Sequence, residues 1–252
     1  MLRRAGTVVT ALIILVTVIP IAVLITQGAP HFWQALSAPG AEQALAVTVG
    51  SGSLALLIIF ILGLPTAYYL RYVRSSAFKR FVAVVLVLAL LMPPLVLGLV
   101  LAYVLAPSTP SGVILSHWQA ASNSFPALTL AEIYEALPYF VLTAWSAVSA
   151  IPKAWEEDAW TLHKTPWQTF RFVLWPASRP GLVTATALAW ARIVGAFGAP
   201  VVVAYHPTAL PVQIWITLEE AGLPQALALA LWLVLVGLPL PGFLTWRQGT
   251  AS

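Results

Sequence analysis

The sequence has no cysteine and very little charge. Of its 252 residues, 8% are charged and 60% are hydrophobic. Soluble domains carry about 25% charged residues, so this composition excludes an ordinary soluble domain and indicates an integral membrane protein. Without cysteine, the chain forms no disulfide and offers no thiol for catalysis or metal binding.

Patterns that carry enzyme chemistry are also missing. No Gly-Lys pair occurs, so the chain lacks a Walker phosphate loop and is not expected to hydrolyse ATP. The four histidines, His31, His117, His163 and His206, lie in separate predicted loops and form no helical pair that could bind zinc or assist a nucleophile. The sequence therefore predicts no catalytic site, no metal and no cofactor bound by this chain.

The hydrophobic runs predict an all-α protein with six membrane-spanning helices, since about 20 apolar residues cross a bilayer. The spans are expected at about 7–25, 44–70, 81–105, 129–151, 181–205 and 223–246, with a short helix near 214–220. We expect the first run to be a retained helix rather than a secretory signal, because no small-x-small cleavage site follows it.

Prolines and capping residues divide these runs. Gly63 and Pro65 are expected to interrupt the second span, and the pair Pro93-Pro94 to bend the third. Thr129 and Glu132 form a capping-box pair that would open the fourth span.

Charge asymmetry predicts the orientation. Eleven of the twelve basic residues fall on one side of the six-span arrangement, which the positive-inside rule assigns to the cytoplasm together with both termini. These residues are Arg3, Arg4, Arg71, Arg74, Lys79, Arg80, Lys153, Lys164, Arg171, Arg179 and Arg247. The opposite loops and helix ends carry Glu42, Glu132, Glu135, Glu219 and Glu220 instead. No acidic residue is expected near the middle of the membrane.

The longest polar interruption, residues 152–180, predicts two short cytoplasmic helices. The first is expected at about 154–162. In the second, Thr165 would cap, Pro166 would take the first helical position, Gln168 would complete a capping box, and Pro176 would end the helix. Its aromatic residues indicate a docking surface for a partner protein. These aromatic residues are Trp155, Trp160, Trp167, Phe170 and Phe172.

This stretch resembles the EAA loop of ATP-binding-cassette (ABC) importer permeases, the cytoplasmic element that contacts the ATPase subunit. The family motif is Glu-Ala-Ala-x-x-x-Gly, a short spacer, a Phe and a terminal Leu-Pro. Here Asp158 stands at the second position, His163 stands where the family glycine separates two coupling helices, and Leu-Trp-Pro ends the motif. The resemblance implies that Glu157 makes the charged contact with the ATPase. It assigns to ATPase coupling Glu157, Asp158, Ala159, Trp160, Leu162, His163, Thr165, Pro166, Phe170 and Pro176.

Arg192 is the one basic residue inside a predicted span. A charge there costs about 2.5 to 3.5 kcal/mol, so the side chain is expected to face protein or water rather than lipid. Two interpretations remain open: a structural arginine, satisfied by helix carbonyls or by a carboxylate from another span, and a residue on a substrate pathway. The carboxylate version is the weaker of the structural alternatives, because no acidic residue is expected at that depth.

Residues 188–199 resemble the fifth span of the molybdate, tungstate and sulfate importer permeases, whose motif is Phe-Ala-Arg-Ala-Leu-Gly-Glu-Phe-Gly-Ala. The matching residues are Ala191, Arg192, Gly195, Phe197, Gly198 and Ala199, whereas Trp190 replaces the phenylalanine and Ala196 the glutamate. Residues 92–98 resemble that group's Leu-Pro-Pro-Val-Val-Leu-Gly, and residues 137–139 its Leu-Pro-Phe. The resemblance implies a translocation pathway or gate at Pro93, Pro94, Gly98, Arg192, Gly195, Phe197 and Gly198.

The resemblance implies that residues 1–252 form one transmembrane permease domain with the type I ABC importer permease fold. Such a chain lies in a bacterial or archaeal cytoplasmic (inner) membrane as a multi-pass protein in contact with membrane lipid. It works as a homodimer, or as a heterodimer with a related permease, together with two ABC ATPase subunits that bind ATP and Mg²⁺, and an extracytoplasmic solute-binding protein. No nucleic-acid partner is expected.

Two alternatives stay open. The same kind of transporter could carry another solute, such as phosphate, ferric ion or a polyamine, although Arg192 would repel a cation. The second alternative is a membrane scaffold or sensor that uses residues 152–180 to hold a signalling protein. Spans bent by proline and an arginine inside a span favour transport.

Overall fold

Helices make up the regular structure of the described residues. The structure is a computed structural model, and it describes residues 2–117, 121–238 and 242. The helices are α1 Leu2–Gly28, α2 Phe32–Leu36, α3 Ala41–Tyr72, α4 Ser76–Leu91, α5 Pro94–Leu105, α6 Pro110–Ser116, α7 Phe125–Ser149, α8 Lys153–Thr161, α9 Pro166–Thr169, α10 Trp175–Val194, α11 Pro200–Val203, α12 Leu210–Ala221 and α13 Leu223–Gly237. A 3₁₀ turn, Ala29–His31, joins α1 to α2, and a π-helical segment, Phe170–Leu174, joins α9 to α10.

The helices α3, α7 and α10 form the centre of the molecule. Their contact surfaces are built largely from alanine, which lets helix backbones approach closely. At Gly63 a Cβ atom would lie 2.6 Å from Cδ1 of Phe140, so glycine is needed there for close packing. The helix α3 runs unbroken through Gly63 and Pro65, and the predicted interruption of the second span is therefore wrong.

The predicted third span is a sharply bent pair of helices. The axes of α4 and α5 differ by 103° at the break between Leu91 and Pro94. Pro93 caps α5 and Pro94 takes its first helical position, where a missing N–H costs nothing. The predicted site of the bend is confirmed.

The helix α7 begins four residues before the predicted fourth span. The side chain of Ser124 caps it, and Thr129 donates instead to the carbonyl of Phe125 at 3.0 Å. Glu132 is buried, with 1% of its surface exposed, and accepts a hydrogen bond from Ser51 at 2.9 Å. The predicted capping box at Thr129 and Glu132 is wrong, because Ser124 offers an earlier cap.

The predicted fifth span is two helices. The helix α10 starts at Trp175 and contains Pro176 in its first turn, where proline is tolerated, so the prediction that Pro176 ends a helix is wrong. The helix α10 stops at Val194, a non-helical turn covers residues 195–199, and α11 follows. The short helix predicted near 214–220 is confirmed as α12.

In the described part of the chain, two helical stretches are long and apolar enough to cross a membrane, namely Gly6–Leu36 and Ala41–Tyr72. The pair α4 and α5 would add a third if it counts as one span, and α13 is a shorter apolar helix. The remaining spans and the cytoplasmic termini stay predictions. The end of the predicted sixth span, apart from residue 242, and Arg247 lie outside the described residues.

Candidate coupling surface and pathway site

The helices α8 and α9 form a bent pair after α7. The helix α8 lies within one residue of its predicted bounds. At the start of α9, the backbone N–H of Gln168 donates to Oγ1 of Thr165 at 3.3 Å, and the backbone N–H of Thr165 donates to Oε1 of Gln168 at 3.0 Å. Pro166 follows in the first turn. The predicted cap of the second helix is confirmed.

The bend between α8 and α9 depends on the backbone of His163. Its φ of 55° is in the left-handed region, which costs about 1–2 kcal/mol in a residue with a Cβ atom. The N–H of Lys164 donates to the carbonyl of Ala159 at 3.0 Å, which closes the end of α8. The break that a glycine provides in the EAA motif is thus present here with histidine.

The outer face of this pair is acidic and aromatic. Glu157 and Asp158 are exposed. The exposed fractions of Trp160, Leu162 and Trp167 are 54%, 70% and 65%. Clustered exposed apolar side chains mark sites that contact other proteins or membranes. We call these five residues the coupling surface.

Two residues predicted for coupling face inward. Ala159 is buried, with 6% of its surface exposed. The ring of Phe170 stacks on Trp167 with centroids 5.5 Å apart and packs edge-on against Tyr68 at 5.1 Å. These contacts hold α9 against α3, so both residues support the coupling surface from behind.

A buried ion pair, which sequence reasoning missed, anchors α8 to the helical body. Nε of Arg71, at the end of α3, donates to Oε1 of Glu156 at 2.9 Å, and the two side chains are 4% and 5% exposed. The guanidinium also donates to the carbonyl of Val148 and, at 3.0 Å, to that of Ile151. The hydroxyl of Tyr72 donates to Oε2 of Glu156 at 2.6 Å. Arg71 therefore joins the ends of α3 and α7 to the start of α8.

Helical spacing offered a signal for this anchor. Glu156 and Ala159 are three residues apart and share one face of α8. A small apolar residue on that face indicates that the face is buried, and this reasoning assigns Glu156 inward and Glu157 outward. Arg71 carried no such signal, because its position at a predicted cytoplasmic loop already explained a basic residue.

The second candidate site lies where α5 meets the turn between α10 and α11. A Cβ atom at Gly198 would lie 2.7 Å from Cβ of Pro94. A Cβ atom at Gly98 would lie 2.9 Å from Cβ of Val202 and 3.0 Å from Cα of Ala199. The two segments predicted for the pathway, about a hundred residues apart in sequence, are in direct contact, and glycine makes the contact possible.

The remaining predicted pathway residues lie along the same turn. Gly195 caps the end of α10. The ring of Phe197 packs against Trp215 of α12, with centroids 6.1 Å apart. Ala196, at the position of the glutamate in the resembling permeases, is buried with 2% of its surface exposed.

Arg192, in the last turn of α10, pairs with a carboxylate from another helix. Its Nη2 lies 2.9 Å from Oε2 of Glu135, and the two side chains are 33% and 2% exposed. The guanidinium carbon lies 6.0 Å from the ring centroid of Tyr139. Of the interpretations that the sequence left open, the structure shows the one in which a carboxylate from another helix pairs with Arg192. Glu135 comes ten residues after Phe125, the first residue of α7, or about 15 Å along the helix.

The hydrogen bonds of this pair are incomplete. Nε of Arg192 and both carboxylate oxygens of Glu135 are buried and have no hydrogen-bond partner of regular geometry. One turn away, Oε1 of Glu132 accepts from Ser51, but Oε2 has no partner. We call Pro94, Gly98, Glu135, Arg192 and the turn 195–199 the pathway site.

Comparison with known proteins gives a consistent result. Residues 61–246 match the family described as "Binding-protein-dependent transport system inner membrane component". The chain is 34% identical over 192 residues to the probable molybdenum ABC transporter permease protein of Haloferax volcanii, covering 76% of this chain and 69% of the relative. It is 26% identical to the sulfate transport system permease protein CysT of Escherichia coli, covering 86% and 81% of the two chains.

Solved structures show the same fold at low sequence identity. A chain of the bacterial alginate ABC transporter, in complex with an alginate-bound periplasmic protein, superposes with a TM-score of 0.75 at 18% identity, over 96% of this chain and 92% of that chain. A chain of the MetNI methionine ABC transporter in an inward-facing conformation superposes with a TM-score of 0.66 at 20% identity, over 88% and 98%.

Proposed function

The chain belongs to the family of binding-protein-dependent transport system inner membrane components, and on that premise we propose that it carries a tetrahedral oxyanion, namely molybdate, tungstate or sulfate. It is the permease subunit of an ABC importer. The matched segment, residues 61–246, contains both the coupling surface and the pathway site. Relatives named for molybdenum and sulfate transport support the substrate class.

The observation that carries the substrate proposal is the position of Arg192. Its side chain is one third exposed, although it lies in the last turn of a helix that stops inside the predicted span. Discontinuous helices of this kind form substrate sites in transporters. The guanidinium fork matches two oxygens of an oxyanion at once. A cationic solute would be repelled there, which argues against ferric ion and polyamines.

We further propose how the chain works with its partners. Two copies, or one copy with a related permease, span the membrane as one permease domain each, with six spans and cytoplasmic termini. Two ATPase subunits, which bind ATP and Mg²⁺, contact the coupling surface, and a solute-binding protein delivers the anion from outside. Closure of the ATPases would push on α8, and Arg71 would pass that push to α3 and α7, so that the pathway site opens alternately to the two sides.

A scaffold or sensor would also need the coupling surface. It would not need glycine contacts between α5 and the turn 195–199, nor a partly exposed Arg192 behind them. The pathway site therefore favours transport over a purely structural role.

Purification of the tagged chain from its native membrane tests the partners. We expect an ABC ATPase to copurify and to be identified by mass spectrometry. Glu157→Lys should lose the ATPase or uncouple ATP hydrolysis from transport, because it reverses an exposed charge on α8. Glu220→Lys, an exposed acidic residue on α12, is the matched control and should keep the ATPase bound. Failure to recover an ATPase in several mild detergents would favour the scaffold.

Reconstituted uptake tests the substrate. In proteoliposomes that contain the permease, its ATPase and its binding protein, we expect ATP-driven uptake of at least one of molybdate, tungstate and sulfate. Arg192→Ala should abolish uptake while the complex still assembles. Unchanged uptake by that variant would remove Arg192 from the pathway.

A further inference from the structure

We propose that Glu135 is the resident counter-anion of Arg192, that the transported oxyanion must displace it, and that Glu135 is thereby a specificity-determining residue of the pathway site. This inference rests on the proposed function, because it describes how the same arginine would meet its substrate. It adds a residue from α7 that neither the sequence patterns nor the comparisons point to.

The pair of Arg192 and Glu135 is loosely held. A guanidinium in a structural ion pair makes bidentate or multiple hydrogen bonds, as Arg71 does with Glu156 and two carbonyls. Arg192 makes a single 2.9 Å contact and its Nε has no partner. Besides Arg192, the carboxylate of Glu135 meets the backbone N–H of Ala199, but not at the geometry of a regular hydrogen bond. Burying charged groups so incompletely is costly, so a ligand that satisfies them better can take the place of Glu135.

Arg192 is the accessible partner of the pair. Arg192 is 33% exposed and Glu135 is 2% exposed, so the open side of the pair is the arginine side. An anion can approach the guanidinium without first passing the carboxylate. Once the anion is bound, the carboxylate loses its ion-pair partner and keeps only the backbone N–H of Ala199. In the described residues, Arg192 is the only side chain that forms an ion pair with Glu135.

The two residues belong to different helices. Glu135 lies within α7, and Arg192 lies in the last turn of α10, directly before the non-helical turn 195–199. That turn is packed on α5 through Gly98 and Gly198. A relative shift of α7 and α10 changes the Glu135–Arg192 distance directly, so binding and release of the anion can follow the movement of the helices.

Competition with a built-in carboxylate gives selectivity. A dianionic oxyanion offers two oxygens to the guanidinium fork and carries twice the charge of the carboxylate. Chloride offers one point contact and a single charge. Its interaction free energy with the guanidinium is therefore smaller than the interaction free energy that Glu135 loses when it is displaced. The pair therefore excludes small monovalent anions, which is specificity achieved by a competing interaction.

Glu132 provides a matched control one turn away on the same helix. It is also a buried glutamate, but it bonds to Ser51 and makes no ion pair with Arg192. Glu132→Gln removes a nearby carboxylate of the same size without removing the resident partner of the arginine.

The experiment uses the complete transporter in lipid nanodiscs, without binding protein, and measures equilibrium binding of tungstate with and without chloride. For Glu135→Gln we expect binding about tenfold tighter than for the wild type, because the arginine no longer spends most of its time occupied. Chloride should now compete, and uptake in proteoliposomes should slow because release is slower. Glu132→Gln should stay within about threefold of the wild type. In the Arg192→Gln background, Glu135→Gln should have no effect.

Three results would overturn the inference. They are equal tungstate affinity in Glu135→Gln and the wild type, an equal change in Glu132→Gln, and an effect of Glu135→Gln that persists without Arg192. If Glu135→Gln fails to assemble, Glu135→Asp, whose shorter side chain weakens the ion pair with Arg192, must bind tungstate more tightly than the wild type or show competition by chloride. Wild-type transporter that carries none of the three oxyanions would reject the proposed function and this inference together, whereas uptake with unaltered selectivity in the variant rejects the inference alone.

Discussion

Two arginines, each paired with a glutamate from another helix, differ in how completely they are bonded. Arg71 is 4% exposed and donates to Glu156 and to two carbonyls, so it acts as a fixed anchor. Arg192 is 33% exposed and makes one ion-pair contact with Glu135. The pair of Arg71 and Glu156 holds α8 in place. In the pair of Arg192 and Glu135, a transported anion can replace the carboxylate.

The anchor predicts a large stability loss for Glu156→Gln. Removing one partner of a buried ion pair leaves the other charge buried and costs about 3–5 kcal/mol. We expect a clearly lower unfolding temperature for the purified permease and loss of the ATPase, since α8 would detach from α3 and α7.

The neighbouring Glu157→Gln is the control for that prediction. Glu157 is exposed, and surface substitutions change stability by about 0.5 kcal/mol or less. Equal unfolding temperatures for the two variants would show that the pair of Arg71 and Glu156 does not hold α8.

The left-handed backbone of His163 predicts an order of stability among substitutions. His163→Gly should stabilise the permease by about 0.5 kcal/mol, because relief of the 1–2 kcal/mol steric cost outweighs the entropy that glycine loses on folding. His163→Val should destabilise it by about 1 kcal/mol or more, since a branched side chain tolerates positive φ poorly. Thermal unfolding of the three proteins checks this order. A valine variant as stable as the glycine variant would contradict it.

Sequence reasoning succeeded where a residue acts through its own neighbours. The cap at Thr165 and Gln168 is local chemistry, and it was predicted correctly. Glu135 was missed because its position within the helix depends on where α7 begins. The cap assigned to Thr129 left Glu135 near a helix end, whereas the true cap at Ser124 carries it deep into the helix.

At the scale of elements, the junction of α5 with the turn 195–199 leaves no room for added volume. Gly198→Ala and Gly98→Ala would each insert a methyl group at 2.7 to 3.0 Å from its neighbours. Overpacking of this kind costs about 1–3 kcal/mol. We expect both variants to assemble with reduced uptake, because the turn beside Arg192 would be pushed off α5.

Gly237→Ala in α13 is the matched control for these glycines. Its added Cβ atom would lie 3.7 Å from Cγ1 of Val194, which is ordinary contact. Uptake rates of Gly198→Ala and Gly237→Ala are measured side by side. Equal rates would show that uptake does not require close packing at this junction.

Helix positions were largely predictable from the sequence, but helix geometry was not. Apolar runs and proline pairs located the break between α4 and α5, yet the 103° angle follows from packing against α7 and α11. The π-helical segment Phe170–Leu174 before Pro176 was not predicted either. The N–H of Trp175 bonds to the carbonyl of Phe170 there, and this lets the chain enter α10 without a break at the proline.

Because the whole molecule has no cysteine, its orientation in the membrane can be measured by labelling single cysteines introduced by substitution. Ser76→Cys, at the exposed start of α4, should react with a membrane-impermeant thiol reagent only after the cytoplasmic side is opened. Glu220→Cys, exposed on α12, should react in intact cells or spheroplasts. The parent protein, which has no thiol, is the background control. Labelling of both positions from the same side would reject the six-span orientation.

The helix α7 contacts both arginines. Near its end it binds Arg71, and further toward its start it binds Arg192. Val148, whose carbonyl binds Arg71, and Glu135, which contacts Arg192, are thirteen residues apart, or about 20 Å along one axis. A displacement of about 1.5 Å, the rise of a single residue, along the line of the 2.9 Å contact would lengthen it to about 4.4 Å, beyond ion-pair range. Under the proposed function, a movement of α7 by roughly the rise of one residue would therefore be enough to break the pair of Glu135 and Arg192.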